Sequence, residues 1–340
     1  MRIVDKKITG QDLAVLAERY FDRLNPKTKK GSYWVDCPAG KLISLSKRQH
    51  GKRYGKVINH LAANVKRVFT APPEDLMKLH DELVALNGRK DELQGKQFKK
   101  AVQPVFGYYT QFRKSSTRGL VHDWFVGLNL RTCPYCNRDW LSHFGTKGRT
   151  DGLFLFDIDH FFPQAKYPYL ALSFYNLIPS CATCNQRLKR DREMSLATHV
   201  HPYAEDLDRM IRFDVPIKKV AQFYKKDVAI DLSLVQPRGV ADADFKRAEE
   251  TCKFFKLHEL YETHKDYARE LMQKGLVYSE SQVQELWDTY RDDVFQSKAE
   301  VVQMIMGNYV QSTDIHKRPL AKLTKDLAEQ FDLYKILLKP

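Results

Sequence analysis

The chain has 340 residues, 43% hydrophobic and 29% charged, the balance of an ordinary globular protein with room for more than one packed core. No segment approaches the roughly 18 uninterrupted apolar residues a membrane span needs, and the opening MRIVDKKITGQDL lacks the apolar core of a secretory signal, so a cytoplasmic protein without membrane attachment is expected. The formal net charge of +14 exceeds what solubility requires and predicts a polyanionic partner.

In chain order, residues 10–24 carry Leu13, Leu16, Ala17, Tyr20, Phe21 and Leu24 at the spacing of one helix face, stopped by Pro26. Lys41, Lys47, Arg48, Lys52, Arg53, Lys56, Lys66 and Arg67 follow, with no Asp or Glu between Cys37 and Pro73. Like charges so arranged repel unless something neutralises them, and contact with nucleic-acid phosphates is the expected neutraliser. Residues 73–86 form a second predicted helix, opened by proline and acidic residues near its positive end. A third runs over 91–112. Between 120 and 159 aromatic and β-branched residues become frequent, and 152–158 (GLFLFDI) predicts a buried strand. Residues 212–217 and 228–235 are β-prone. From 241 onward the pattern is helical again, with Phe245, Ala248, Cys252 and Phe255 in one apolar row.

Six cysteines in a cytosolic chain point to metal binding before disulfides. Cys133 with Cys136, in TCPYCNR, and Cys181 with Cys184, in SCATCNQ, are two CxxC pairs. Each presents two thiolates from one tight turn, and together they supply the four ligands of a closed structural Zn²⁺ site. The span between them is longer than a simple zinc ribbon allows and must hold structure of its own. Cys37 and Cys252 are single and read as buried, unligated thiols.

Within that span lies FDIDHFFPQAKYPYLALSFYNLIPSCATCNQRLK. Asp159 and His160, adjacent at a strand end, point to opposite faces of the backbone. The order Cys133, Cys136, then Asp159, His160 and Pro163, then Asn176 with Leu177, then Cys181, Cys184 and Asn185 resembles the four-cysteine branch of the HNH endonuclease family, over about a quarter of the chain. The resemblance implies a hairpin carrying Asp159 and His160, packed on a helix that starts near Cys181 and carries Asn185. It further implies that Asp159 and Asn185 ligate a catalytic Mg²⁺ or Mn²⁺, whose hard character suits their oxygens. His160 would be the general base that takes a proton from water, and Asn176 would hold the loop and orient the imidazole through a hydrogen bond. Asp157 either backs Asp159 or is a polar residue at the strand end. Arg187, Lys189 and Arg190 after the last cysteine, with Arg192 beyond, and Lys47, Arg48, Lys52 and Arg53 are the expected DNA-backbone contacts. His199 and His201 have metal-ligand spacing, but the ligand positions are already filled and a structural role is expected.

The expected fold class is α+β, with mainly helical flanks around a central zinc-stapled ββα-metal module. The expected division is a basic helical region over 1–120, the nuclease module over 121–205, and a short β region followed by helices over 206–340. The expected function is DNA phosphodiester hydrolysis. HNH proteins with long helical flanks resemble effectors of bacterial antiphage and restriction systems, which implies a regulatory partner subunit such as an ATPase. The alternative is a zinc-stabilised nucleic-acid-binding subunit with a non-catalytic core, separable by metal-dependent nicking.

Overall fold

The computed structural model describes residues 4–49, 51–112, 118–144, 153–225, 227–291 and 293–331. Helices dominate, and the described strands form three two-stranded antiparallel sheets, an α+β composition. No helix among these residues is long and apolar enough to cross a membrane.

The chain forms two compact units that do not follow the three-part division expected from sequence. The first, the hairpin unit, comprises residues 4–129 and 141–197; the second, the C-terminal unit, comprises 130–140 and 198–331 of the described chain. The span 121–205 is therefore divided between them, and the hairpin is built into a unit with the N-terminal helices.

In the hairpin unit, α1 (Leu13–Leu24) buries Leu16, Ala17, Tyr20, Phe21 and Leu24 of the predicted face, with Leu13 half-buried at its start. It stops at Asn25, next to Pro26. The Asn25 amide then accepts from Ala39 N at 2.7 Å and donates to Phe21 O at 3.2 Å, fixing the entry to the next helix. The basic stretch folds as α2 (Pro38–Gln49), α3 (Gly55–Ala63) and α4 (Val65–Thr70). Helix α5 (Pro73–Asn87) has proline at its first turn, Glu74 and Asp75 near the positive end, and Gly88 closing it at φ 78°, a left-handed cap that glycine adopts without steric cost. The helix predicted over 91–112 is three pieces: Lys90–Gln94, α6 (Lys96–Phe106) and the turn Tyr109–Phe112. The second break needs glycine, because a Cβ on Gly107 would lie 2.5 Å from the Gln103 carbonyl oxygen. Helix α7 (Arg118–Leu128) completes the set.

The single strand predicted over 152–158 is two strands with different partners, residue 152 itself lying outside the described residues. β2 (Leu153–Phe154) pairs with β1 (His143–Phe144), whereas β3 (Asp157–His160) pairs with β4 (Leu177–Ser180). The core around the second hairpin is aromatic: Tyr20 lies 5.7 Å from Phe174 and Phe98 6.2 Å from Tyr169, ring centre to ring centre.

In the C-terminal unit, β5 (Arg212–Asp214) pairs with β6 (Ser233–Val235) within the two β-prone stretches. Helices α8 (Asp242–Phe254), α9 (Lys265–Val277), α10 (Glu280–Tyr290), α11 (Lys298–Met306) and α12 (Ala321–Gln330) follow. The segment Leu130–Trp140 is held by Asn137, whose amide donates to Thr132 Oγ1 and Ile315 O and accepts from Lys322 N, at 2.7 to 3.0 Å. Asn137 sits at φ 53°, a region asparagine tolerates better than most residues.

Candidate active site and metal centre

The four thiols of Cys133, Cys136, Cys181 and Cys184 are buried, and their sulfurs all lie within 4.8 Å of one another. A tetrahedral ion with metal–sulfur bonds of about 2.3 Å places its sulfurs roughly 3.8 Å apart, so the cluster can hold a metal such as zinc with small adjustment. Each pair has a turn in which a backbone N–H faces a sulfur: Arg138 N donates to Cys136 Sγ and Cys184 N to Cys181 Sγ, both at 3.4 Å. Such bonds favour thiolate over thiol. Cys37 and Cys252 lie outside this cluster; burial raises both thiols, Cys252 to about 12. His201 is buried with Nδ1 accepting from Tyr203 N at 3.1 Å, and His199 pairs with Thr198 Oγ1 at 2.8 Å.

In the second hairpin Asp159 sits opposite Ile178 and His160 opposite Leu177. Strand alternation sends Asp157 and Asp159 to one face and His160 to the other. Asp157 accepts from Gln186 Nε2 at 2.9 Å, tying the hairpin to the helical turn that follows. His160 Nε2 lies 3.0 Å from the carbonyl oxygen of Ala171. A carbonyl oxygen only accepts, so Nε2 carries the hydrogen and the lone pair of the neutral ring resides on Nδ1. The Tyr109 ring lies 4.5 Å from the imidazole at 63°, and its hydroxyl donates to Ile158 O at 3.2 Å.

Asn176 is fully buried and spans the loop between the strands. Its Oδ1 accepts from Phe162 N at 2.7 Å, and its Nδ2 donates to Phe162 O at 3.1 Å and Leu170 O at 3.0 Å. The hydrogen bond expected from Asn176 to the imidazole is thus made by Ala171 instead. Asn176 acts at one remove, by fixing Leu170 beside the carbonyl that holds the ring.

After Cys181 the chain winds as a π-helix, Thr183–Lys189, with Arg190 N donating to Asn185 O at 2.8 Å. The wider winding turns Lys189 inward, where 1% of its side chain is exposed. Its ammonium lies 2.7 Å from Asp159 Oδ1 and also donates to the His160 carbonyl. Lys189, expected to face DNA phosphates, is therefore committed to Asp159, while Arg187 and Arg190 are exposed. Asp159, His160, Asn185, Lys189 and Arg190 line one cavity of about 540 Å³. Lys99, Gln103 and Tyr109, which the sequence did not connect with the site, line it too.

Asp159 and Asn185 bring hard oxygen donors to that cavity. An ionised carboxylate has about four acceptor sites and can share them between an ammonium and a cation that keeps most of its water. The donor set thus suits Mg²⁺ or Mn²⁺ chemically.

In the basic stretch, Lys47, Arg48, Lys52 and Arg53 are exposed. Arg53, however, meets Gln97 at 2.6 Å and Glu92 at 3.2 Å. Its neighbours are neutralised from afar: Lys66 by Glu18 at 2.7 Å, and Arg67 by Asp75 and Glu82, both at 2.8 Å.

No protein-family model matches the sequence, and neither characterised proteins nor solved structures contain a match to it.

Proposed function

We propose that the protein is a divalent-cation-dependent DNA endonuclease of the HNH type, with structural Zn²⁺ on Cys133, Cys136, Cys181 and Cys184. The observation that carries this reading is the His160 imidazole with Nε2 held by the Ala171 carbonyl, lining a cavity it shares with Asp159, Asn185 and cationic side chains. A base with a fixed tautomer beside hard oxygen donors suits hydrolysis of a phosphodiester.

His160 Nδ1 takes a proton from water as the water oxygen bonds to phosphorus and the bond to the 3′ oxygen breaks. Ala171 and Tyr109 keep the ring in one orientation while it does so. Asn176 keeps the intervening loop from drifting. Asp159 and Asn185 would hold the divalent cation, which when bound would supply electrostatic stabilisation of the charge that develops on oxygen.

Replacing His160 with Ala is expected to lower Mg²⁺-dependent nicking of supercoiled plasmid by about 10²- to 10⁴-fold, the range for loss of a general base, with DNA binding in Ca²⁺ retained. Wild-type rates in that variant would refute the assignment. About one zinc per chain by elemental analysis is the companion expectation, with Cys181→Ser losing both metal and stability. The second reading, a nucleic-acid-binding subunit without catalysis, draws on the Lys189 ammonium against Asp159. It predicts no nicking with any divalent cation.

A further inference from the structure

The cavity beside His160 has a wall from outside the hairpin. Helix α6 buries Phe98, Val102, Val105 and Phe106, which leaves Lys99 and Gln103, four residues apart on one helix face, to line the cavity together with the chemistry-bearing residues. Several cations elsewhere in the hairpin unit are matched by acids: Arg53 by Glu92, Lys66 by Glu18, Arg67 by Asp75 and Glu82, and Lys166 by Glu193. Lys99 differs. Neither its ammonium nor the Gln103 amide has a hydrogen-bond or ion-pair partner among the described residues, and the same holds for the guanidinium of Arg190 on the same lining. Asp159 is already neutralised by Lys189, leaving Asp191 as the remaining carboxylate on the lining. Unmatched cations and an uncommitted amide around a recess of about 540 Å³, within the range that encloses a small ligand, are complementary to a short stretch of one nucleic-acid strand.

We propose that α6 forms a substrate subsite, with Lys99 holding the phosphate next to the scissile one and Gln103 hydrogen-bonding the nucleotide between them. This rests on the nuclease reading above. On that reading the N-terminal helices furnish part of the catalytic cleft itself, and strand register is set from α6 while the hairpin performs the reaction. Positioning of this kind acts on productive binding more than on the bond-breaking step.

The test uses the full chain and two substrates, a fluorescent DNA oligonucleotide and bis(p-nitrophenyl) phosphate, a diester with no flanking nucleotide. Lys99→Ala is expected to raise KM for the oligonucleotide about tenfold with little change in kcat, and to flatten the slope of log KM against log salt by about 0.9, the signature of one lost phosphate contact. Its loss on the oligonucleotide should exceed its loss on the small diester by at least that factor. Gln103→Ala should raise KM by a smaller factor without moving the salt slope. Lys100→Ala, one residue along and exposed, serves as the control and should cleave both substrates as wild type does. Equal oligonucleotide KM and salt slope in wild type and Lys99→Ala would overturn the subsite, as would equal losses on both substrates, which would mark Lys99 as a support for the fold. Wild type that hydrolyses neither substrate with Mg²⁺ or Mn²⁺ would remove the nuclease reading. Anisotropy of the oligonucleotide in Ca²⁺ would then still decide whether Lys99 binds a strand, an unchanged Kd in Lys99→Ala refuting it.

Discussion

The two units each bury lysine charge, and they do so in opposite ways. In the C-terminal unit Lys322 and Lys325 lie between Asp208 and Asp326. The Lys322 ammonium is 3.0 Å from Asp208 and 2.6 Å from Asp326, and that of Lys325 is 3.1 Å and 3.2 Å from the same pair. Backbone groups complete the cluster, with Ile211 O accepting from Lys322 and Phe213 N donating to Asp326. Glu329 adds a third carboxylate, 3.5 Å from Lys325, Lys322 and Asp326 are wholly enclosed, and the cluster fastens α12 to β5. In the hairpin unit the Lys189 ammonium meets the Asp159 carboxylate, and this pair, also almost fully buried, lies on the lining of a cavity. Charge that is matched and enclosed serves architecture. Charge on the lining of a cavity can be rearranged by what enters.

Substitutions should separate the two cases. The largest effect is expected from Asp208→Asn, which leaves Lys322 with Asp326 as its one carboxylate partner and Lys325 with Asp326 and the more distant Glu329, and should cost about 3–5 kcal/mol in urea denaturation, the range for breaking a buried pair. Cleavage per folded molecule should be retained, and a loss under about 1 kcal/mol would break the comparison. Burial works against the Asp208 charge, but Lys322, Lys325 and the Ser312 hydroxyl hold its carboxyl well below the usual range. A depressed carboxyl contributes stability in full above its unfolded value near ~3.9 and loses it as pH falls further. Stability of the wild type should therefore drop steeply below about pH 4, and less steeply in Asp208→Asn.

A smaller effect, about 1–3 kcal/mol as for a buried polar group left without its partner, is expected from Lys189→Met. Water entering the cavity can solvate Asp159, and millimolar Mn²⁺ should restore much of the loss because a cation bound to the folded state stabilises it by mass action. Thermal melts with and without Mn²⁺ read this directly. Equal Mn²⁺ shifts in wild type and Lys189→Met would show that the ammonium and the cation do not share Asp159, and Asp208→Asn should gain no more from Mn²⁺ than wild type does. The smallest effect extends the comparison to the surface. Replacing Lys47, Arg48, Lys52 and Arg53 together with Ala should leave folding intact and flatten the salt dependence of DNA binding in Ca²⁺ by about 0.9 per lost contact. Arg53 is already engaged by Gln97 and Glu92 and should contribute least. An unchanged slope would assign the stretch to something other than DNA.

Local signals in the sequence survived into the structure where the decisive contacts are local. The spacing in 13–24 and the proline, acidic turn and glycine around 73–88 mark real helices, and the two CxxC pairs do converge. What could not be read depended on residues distant in sequence. The run from 37 to 73 looked uncompensated because Glu18, Asp75, Glu82 and Glu92 lie outside it. Ordinary helical winding after Cys181 would carry Lys189 at a different phase, and the π-winding that turns it inward leaves no mark in the local sequence. Lys99, Gln103 and Tyr109 carried no motif, and only the packing of α6 and the turn after it brings them to the cavity.

The hairpin loop is secured by partners far upstream. Tyr20 donates to Leu172 O at 3.0 Å across 152 positions, Ser173 donates to Val68 O, and His80 meets Tyr169 at 2.5 Å. During synthesis at about 5–20 residues per second, the 152 positions between Tyr20 and its partner correspond to roughly 8–30 s of waiting. Throughout that interval the N-terminal helices have no loop to clasp, and Ala171, which sets the imidazole, has not been made. Loop closure over such separations is slow even afterwards. The ribosome therefore releases the site late, and a chain interrupted before residue 171 carries His160 without the carbonyl that aims it.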